Sequence, residues 1–219
     1  MRNNIVMTAA AGLTAALLSS TAAMADFNAT ATTDLNIRSG PGPQYEVLGA
    51  IANSDTATVK GCIEGSKWCQ VSYNGTTGWS YSEYLSADFD GQQTVISMAP
   101  QTAVVPVVEN NQAGTNATVG AAGGAIAGAL IGGPVGAAIG GVAGATAGLT
   151  ASPPPTVKTY VTENRIDPVY LEGEVVVGAG VPDTVKLYPV PDYEYQYVYI
   201  NGQPVLVEAG TRQIVYVYR

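Results

Sequence analysis

Short runs of alternating apolar and polar residues fill the first third of the chain, and turn residues separate them. In LNIRSGPG (35–42), Leu35 and Ile37 lie on one face of an extended segment, and a Gly/Pro turn follows. A period of two residues predicts a half-buried β-strand. Five short strands at this spacing favour a small barrel, which closes its own edges. The further runs are VLGAI (47–51), ATVKGC (57–62), WCQVSY (68–73), TGWSY (77–81) and EYL (83–85).

A second alternating pattern, rich in tyrosine, occupies residues 159–219. YEYQYVYI (193–200), the Asn201-Gly202 turn, PVLVE (204–208) and QIVYVY (213–218) predict a three-stranded antiparallel meander, joined by a short strand at EVVV (174–177). We expect its tyrosine row to pack in a core, the alternative being a stacking surface for sugar or peptide. The row comprises Tyr193, Tyr195, Tyr197 and Tyr199. The stretch resembles an uncharacterised C-terminal domain of alphaproteobacterial exported proteins, which implies a bacterial envelope setting.

Between these patterns, glycine recurs every four residues in an uncharged segment. The glycines are Gly120, Gly124, Gly128, Gly132, Gly136, Gly140, Gly144 and Gly148. Such spacing lets helix backbones approach closely, and Gly132-Gly133-Pro134 supplies a break. The segment therefore predicts a helical hairpin within 117–151, with arms at about 118–131 and 135–149 that pack together or against other chains.

This segment resembles the glycine-zipper segments of bacterial outer-membrane-associated proteins. The resemblance implies membrane association or assembly into a homo-oligomer. Each arm measures about 21 Å at 1.5 Å per residue, short of a hydrocarbon core of about 30 Å. The alternative is a flexible low-complexity linker. Polar or proline-punctuated residues on either side, 88–116 and 152–158, are expected to be linkers, so we expect two small β modules without a shared core.

The strand runs of the first module resemble the bacterial SH3-like (SH3b) family over about residues 31–87. LNIRSGPG, VLG, the strands around Trp68 and YNGTTGWSYSEYL carry the resemblance. It implies an SH3-like barrel at 26–87 that recognises peptidoglycan or cell-wall peptide, often as a targeting module.

A peptide groove on a small barrel is built from aromatic faces and a few polar groups. Arg38 and Glu83 are candidate groove charges, with solvated surface as the alternative. Aromatic side chains dominate small cores as well as interfaces, so core packing is the alternative for the aromatic candidates. These candidates are Tyr45, Trp68, Tyr73, Trp79, Tyr81 and Tyr84.

The chain has two cysteines, Cys62 and Cys69, on strands that would pair through IEGSKW. In an exported protein such a pair is expected to form a disulfide. A redox thiol pair is the alternative, but the C-x6-C spacing lacks the usual dithiol signature. We therefore expect a structural disulfide across a hairpin.

Residues 1–25 have the three parts of a secretory signal peptide: Arg2, an uncharged apolar stretch and an Ala23-Met24-Ala25 cleavage site. An uncleaved membrane anchor is the alternative, although the apolar stretch is shorter than the about 20 residues that span a bilayer. The sequence thus predicts an exported protein of the periplasm or cell envelope, in which outer-membrane association is one option.

Charge and composition exclude several function classes. With 17 acidic and 9 basic residues, the net charge of −8 opposes nucleic-acid binding. The absence of histidine removes His-containing triads and the usual zinc hydrolases. The carboxylate pairs Asp88/Asp90 and Glu172/Glu174 lie in a linker or on one strand face, so we read them as solubilising charge and not as a glycosidase pair. We predict no metal, cofactor or catalytic residue.

The expected fold is mainly β: a small SH3-like barrel, a Gly/Ala-rich helical hairpin and a small C-terminal antiparallel β module. The expected function is a non-enzymatic envelope binding module for peptidoglycan or peptide, whose glycine segment serves membrane association or self-assembly. The alternative is a structural, self-assembling envelope protein without cell-wall affinity.

Overall fold

The computed structural model describes residues 26–99, 105–108, 125–130 and 152–219, with the backbone alone at 125–130. The predicted signal peptide at 1–25 and most of the predicted helical hairpin at 117–151 lie outside the described residues. Within the described residues the fold is mainly β, as predicted, with one short α-helix.

The N-terminal module is one antiparallel sheet of eight strands in the order β3-β2-β6-β5-β4-β1-β7-β8. A 3-10 turn at Ser82–Tyr84 precedes β7. The first five predicted runs correspond to β2 through β6. The sixth, EYL (83–85), is wrong as a strand at residues 83 and 84, because the Leu85 N–H donates to Ser82 O and closes the 3-10 turn; only Leu85 lies in a strand, as the first residue of β7. Strands β1 and β8 were not anticipated. The strands are β1 (Phe27–Ala31), β2 (Leu35–Arg38), β3 (Val47–Ile51), β4 (Thr56–Cys62), β5 (Trp68–Tyr73), β6 (Thr76–Tyr81), β7 (Leu85–Phe89) and β8 (Gln92–Val95).

The polar segment expected to be a linker from residue 88 is instead structured at its start. Strands β7 and β8 form a hairpin through Asp90-Gly91, whose positive φ values of 55° and 81° fit the turn that this dipeptide favours. Further along, residues 105–108 run parallel to β4: the Cys62 N–H donates to Pro106 O at 2.7 Å, and the Val108 N–H donates to Cys62 O at 3.0 Å. The linker prediction for 88–116 is therefore wrong at both places, because sheet edges bind these backbones.

Strands β3 and β8 are the two edge strands of the sheet. In the part of the chain that the structure describes, no strand pairing joins these two edges to close the expected barrel.

The cysteine pair lies in the β4–β5 hairpin, where Cys62 pairs with Cys69 across the ladder. The two residues form a disulfide, as the sequence predicted. Cys69 is fully buried in the core. The turn that the disulfide closes, 63–68, brings Lys67 and Trp68 beside the end of β6.

The C-terminal module combines a four-stranded antiparallel sheet, ordered β11-β12-β13-β14, with one helix. The predicted meander is confirmed, and Asn201-Gly202 forms its first turn with φ values of 52° and 81°. Its elements are α1 (Pro155–Glu163), β10 (Tyr170–Glu172), β11 (Tyr188–Pro189), β12 (Gln196–Ile200), β13 (Gln203–Val207) and β14 (Ile214–Val217).

Two local predictions in this module are wrong. EVVV (174–177) is not a strand, because the Val175 N–H donates to the Glu174 side chain at 2.8 Å instead of to a neighbouring strand. The expected linker at 152–158 already contains the start of α1, with Pro155 as its first residue. Proline is tolerated there because the first helical N–H has no partner within the helix.

The part of the glycine segment that the structure describes is a strand and not a helix. Strand β9 (Ala125–Leu130) pairs in parallel with β10 in an irregular register. Glycine lowers helix stability by about 1 kcal/mol per residue relative to alanine, whereas the β10 edge offers backbone hydrogen-bond partners. The predicted helical arm at 118–131 is therefore corrected at 125–130.

One hydrophobic cluster runs through both modules, so the expectation of separate cores is wrong. It joins Leu35 and Val71 of the first module to Leu171, Val198 and other residues of the second. A smaller cluster lies between α1 and the outer face of the C-terminal sheet, where Tyr197 and Tyr199 pack on Val161. The two faces of the meander therefore pack against different elements. On β12, Val198 and Ile200 face the core that both modules share, and the tyrosines face the helix.

A buried ion pair connects the modules at this shared core. Arg38 of β2 donates from Nε to Glu174 Oε2 at 2.7 Å and from Nη2 to Oε1 at 2.6 Å, and both side chains are fully buried. Asn36 donates to Glu174 Oε1 at 3.0 Å and to Gln203 Oε1 at 2.7 Å. The sequence interpretation of Arg38 as a groove charge or solvated residue, and of Glu174 as solubilising charge, is therefore wrong.

Opening the Cys62–Cys69 disulfide is expected to lower the free energy of unfolding by about 2 to 3 kcal/mol, the chain-entropy estimate for so short a loop. The measurement is urea unfolding with and without a thiol reductant. The double variant Cys62→Ser/Cys69→Ser is the control, since its unfolding midpoint should not respond to the reductant. An equal response in both proteins would contradict the prediction.

Replacing Arg38 by methionine is expected to destabilise the protein by about 3 to 5 kcal/mol, because it leaves the Glu174 carboxylate buried without its partner. The double variant Arg38→Met/Glu174→Leu should recover part of the loss. Arg165→Met, at an exposed position, is the matched control. Urea unfolding measures all three, and a loss for Arg38→Met no larger than for the control would refute the interpretation.

Candidate functional site

A groove with a cavity of about 370 Å³ lies where the two modules meet. Its walls are the turn after β2 and the turn of the disulfide hairpin, and its floor is aromatic. One wall residue comes from β10 of the C-terminal module. The lining residues are Pro41, Gly42, Pro43, Gln44, Gly65, Ser66, Lys67, Trp68, Tyr81 and Glu172.

The floor is formed by Trp68 and Tyr81, which are cross-strand partners on β5 and β6. Their rings meet edge to face, with centroids 5.3 Å apart and an interplanar angle of 69°. They are only 6% and 3% exposed, so each ring contributes an edge to the groove and packs its body in the core. Burial raises the pKa of the Tyr81 hydroxyl to about 12, and the nearby Glu83 carboxylate adds to this shift.

The wall at 41–44 is fixed from beneath by Arg38. Its Nη1 donates to Pro43 O at 3.1 Å and to Tyr45 O at 2.9 Å. Above the loop, Gly40 permits a close approach, since a Cβ there would lie 2.3 Å from the Tyr45 ring. The Gly/Pro turn therefore owes its shape to a buried guanidinium and to a ring packed on a glycine.

Two charged side chains line the groove, Lys67 and Glu172, and they differ in whether they have a partner. Lys67 Nζ lies 2.5 Å from Glu83 Oε1 and 5.9 Å from the centre of the Tyr81 ring. The hydrogen bond to Glu83 raises the pKa of the Lys67 ammonium. Glu172 is exposed, and among the described residues its carboxylate has neither an ion-pair nor a hydrogen-bond partner. As far as the described residues go, the groove therefore presents the paired cation of Lys67 and the unpaired anion of Glu172.

The structure brings together two of the six aromatic candidates, Trp68 and Tyr81, in the groove. Trp79 and Tyr84 are buried in the shared core. Tyr45 packs on Gly40 behind the wall, and Tyr73 lies half-buried, with its hydroxyl donating to Asp55.

Sequence reasoning missed Lys67, Gln44 and Glu172. The IEGSKW turn and the Pro41/Pro43 turn were visible as loops, which carry binding residues more often than strands do. Nothing in the local sequence pattern signals Glu172, because it reaches the groove only through the packing of the modules.

Two absences concern the described residues 26–99, 105–108 and 152–219 alone. No helix there combines enough length with enough apolar character to cross a bilayer. No group of three metal-ligating side chains comes together there either. The predicted packing role of the eight zipper glycines is not tested, because all but Gly128 lie outside the described residues.

Comparison with known proteins identifies both modules. Residues 33–86 match the family described as Bacterial SH3 domain, and residues 160–219 match Domain of unknown function (DUF1236). The "Putative N-acetylmuramoyl-L-alanine amidase YrvJ" of Bacillus subtilis is 36% identical over 89 residues, which cover 41% of this chain and 15% of that relative. The chain thus matches only a small part of the relative's length.

The buried phenol of Tyr81 predicts a loss of stability at alkaline pH. Its pKa of about 12 exceeds the ordinary 10.0, so between these values the unfolded chain binds fewer protons than the folded chain. The free energy of unfolding therefore falls as pH rises through this window. Tyr81→Phe should flatten the fall while leaving stability at pH 8 little changed. Urea unfolding at about pH 8 and about pH 11 measures this, and an unaltered pH dependence would count against the assignment.

Proposed function

We propose that this chain, which carries a bacterial SH3 domain at residues 33–86, is a non-enzymatic binding module for cell-wall peptide. The groove between the Gly/Pro turn and the disulfide hairpin is the proposed binding site. The observation that carries the proposal is this groove's construction: two aromatic edges on a rigid floor, a few polar groups and preformed walls. Such sites favour short, partly apolar ligands that need little rearrangement on binding.

The size of the groove supports a small ligand. Its volume of about 370 Å³ is at the lower end of the range of about 300 to 1,000 Å³ for small-ligand sites. The Gln44 amide can exchange hydrogen bonds with a peptide group while the rings contact its side chains. A short peptide of the cell wall meets these requirements.

The non-enzymatic part of the proposal rests on the residues available. The sequence contains no histidine. In the groove, Tyr81 is engaged in packing and Lys67 in an ion pair with Glu83. The amidase named above shares only a segment with this chain. In this proposal the shared segment contributes binding, and the chemistry implied by the relative's name is left to other parts of that relative.

Export to the cell envelope is also part of the proposal. Residues 1–25 direct the chain to the periplasm or cell envelope, where peptidoglycan is accessible, and the glycine segment serves membrane association or self-assembly. A disulfide between Cys62 and Cys69 is consistent with an oxidising compartment.

The test is cosedimentation of the chain from residue 26 with isolated bacterial sacculi. Gln44→Trp places a large ring in the groove and is expected to reduce retention at least about tenfold, which corresponds to about 1.4 kcal/mol. Gln93→Trp, on the exposed part of β8, is the matched control and should bind as the wild type does. No retention of the wild type would favour the structural envelope protein, and equal retention of both variants would exclude the groove.

A parallel assay addresses catalysis. Dye-labelled sacculi incubated with the same protein are expected to release no soluble dye above the level of a heat-inactivated sample. Release that depends on the folded protein would overturn the non-enzymatic proposal while leaving binding intact.

A further inference from the structure

We propose that the groove selects a ligand with a primary ammonium group and that Glu172, supplied by the C-terminal module, binds this group. The inference rests on the proposed function, because it names the ligand chemistry of the same groove. It also gives the C-terminal module a role in recognition.

The charge balance of the groove carries the first step. The Lys67 ammonium is matched by Glu83 at 2.5 Å, so it offers little attraction to a ligand carboxylate. Glu172 lines the same cavity and has no partner among the described residues. Within the part of the chain that the structure describes, the unmatched charge in the groove is therefore negative, and a cationic ligand group complements it.

The floor leaves the sign of the ligand charge to Glu172. The face of the Tyr81 ring is already approached by Lys67, whose Nζ lies 5.9 Å from the ring centre and is paired with Glu83. The ring edges that Trp68 and Tyr81 present to the groove carry no net charge, so they contribute apolar contact to a ligand of either sign. A ligand anion would be repelled by the Glu172 carboxylate, whereas a ligand ammonium would be attracted to it.

The backbone on either side of Glu172 is rigid. Leu171 is buried, and its N–H donates to Asn201 Oδ1 at 2.8 Å. The Asn201 amide donates to Gly173 O at 3.2 Å. Two residues later, Glu174 forms the buried ion pair with Arg38. Because the residues on both sides are anchored, the backbone of Glu172 is held at the groove, and ligand binding needs to order only its side chain.

The chemistry fits a peptide with a free amine, either at its N-terminus or on a lysine-like side chain. The two positions share the ammonium, and the experiment distinguishes them. A tetrapeptide, Ala-Gln-Lys-Ala, is prepared in four forms: unmodified, N-terminally acetylated, acetylated on the lysine, and acetylated at both amines. The position whose acetylation weakens binding identifies the amine that Glu172 binds.

The main experiment uses sacculi before and after acetylation of their primary amines, with wild type, Glu172→Gln and Glu194→Gln. Glu194 is an exposed carboxylate of the same module outside the groove, and its variant is the matched control. Acetylation should lower wild-type retention about fivefold to tenfold. Glu172→Gln should lower retention on untreated sacculi by a similar factor and should show no further loss on acetylated sacculi.

The outcomes separate the two proposals. Equal wild-type retention on both kinds of sacculi, or wild-type behaviour of Glu172→Gln, overturns the ammonium inference and leaves the binding function in place. No wild-type retention on either material overturns both. Because Glu172 is exposed, its variant should unfold at the wild-type urea midpoint, so a loss of binding reflects the charge and not the fold.

Discussion

The buried ion pair between Arg38 and Glu174 determines how the two β modules fit together. Transferring two charges from water into a protein interior is unfavourable by several kcal/mol per ion. Here the carboxylate receives two bonds from the guanidinium, one from Asn36 and one from the Val175 N–H. A displaced packing of the modules would leave one of these charges buried without its partners. The pair therefore contributes specificity to an interface whose attraction comes from the shared apolar core.

The same guanidinium connects the interface to the groove. Its remaining nitrogen donates to Pro43 O and Tyr45 O, so the wall at 41–44 is shaped by a residue whose charge is neutralised from the other module. Glu172 and Glu174 then act on opposite sides of one short segment. In a regular strand they would share a face, but Gly173 between them has a φ of 109°, which glycine adopts readily. This local reversal leaves Glu172 exposed at the groove and Glu174 buried.

Unpaired strand edges explain why segments that were expected to be linkers or helix form strands in the structure. The hairpin at 85–95, the run at 105–108 and β9 each satisfy backbone groups at a strand edge. Their side-chain patterns are weak, so periodicity gave little indication of them. Asp90-Gly91 is the exception, because this dipeptide is a hairpin signal that the sequence interpretation passed over.

The sequence by itself determined the strands β2 to β6, the disulfide and the C-terminal meander, because alternation, Asn-Gly turns and cysteine spacing are local properties that any packing must respect. It also indicated Trp68 and Tyr81 as groove candidates. Only the tertiary structure decided that Arg38 and Glu174, 136 positions apart, would be buried together, and that Glu172 would line a groove built mostly by the other module. The local sequence pattern around a charged residue is the same whether its charge is hydrated at the surface or paired with a distant residue in the core. Burial and charge pairing depend on which surfaces the fold brings into contact.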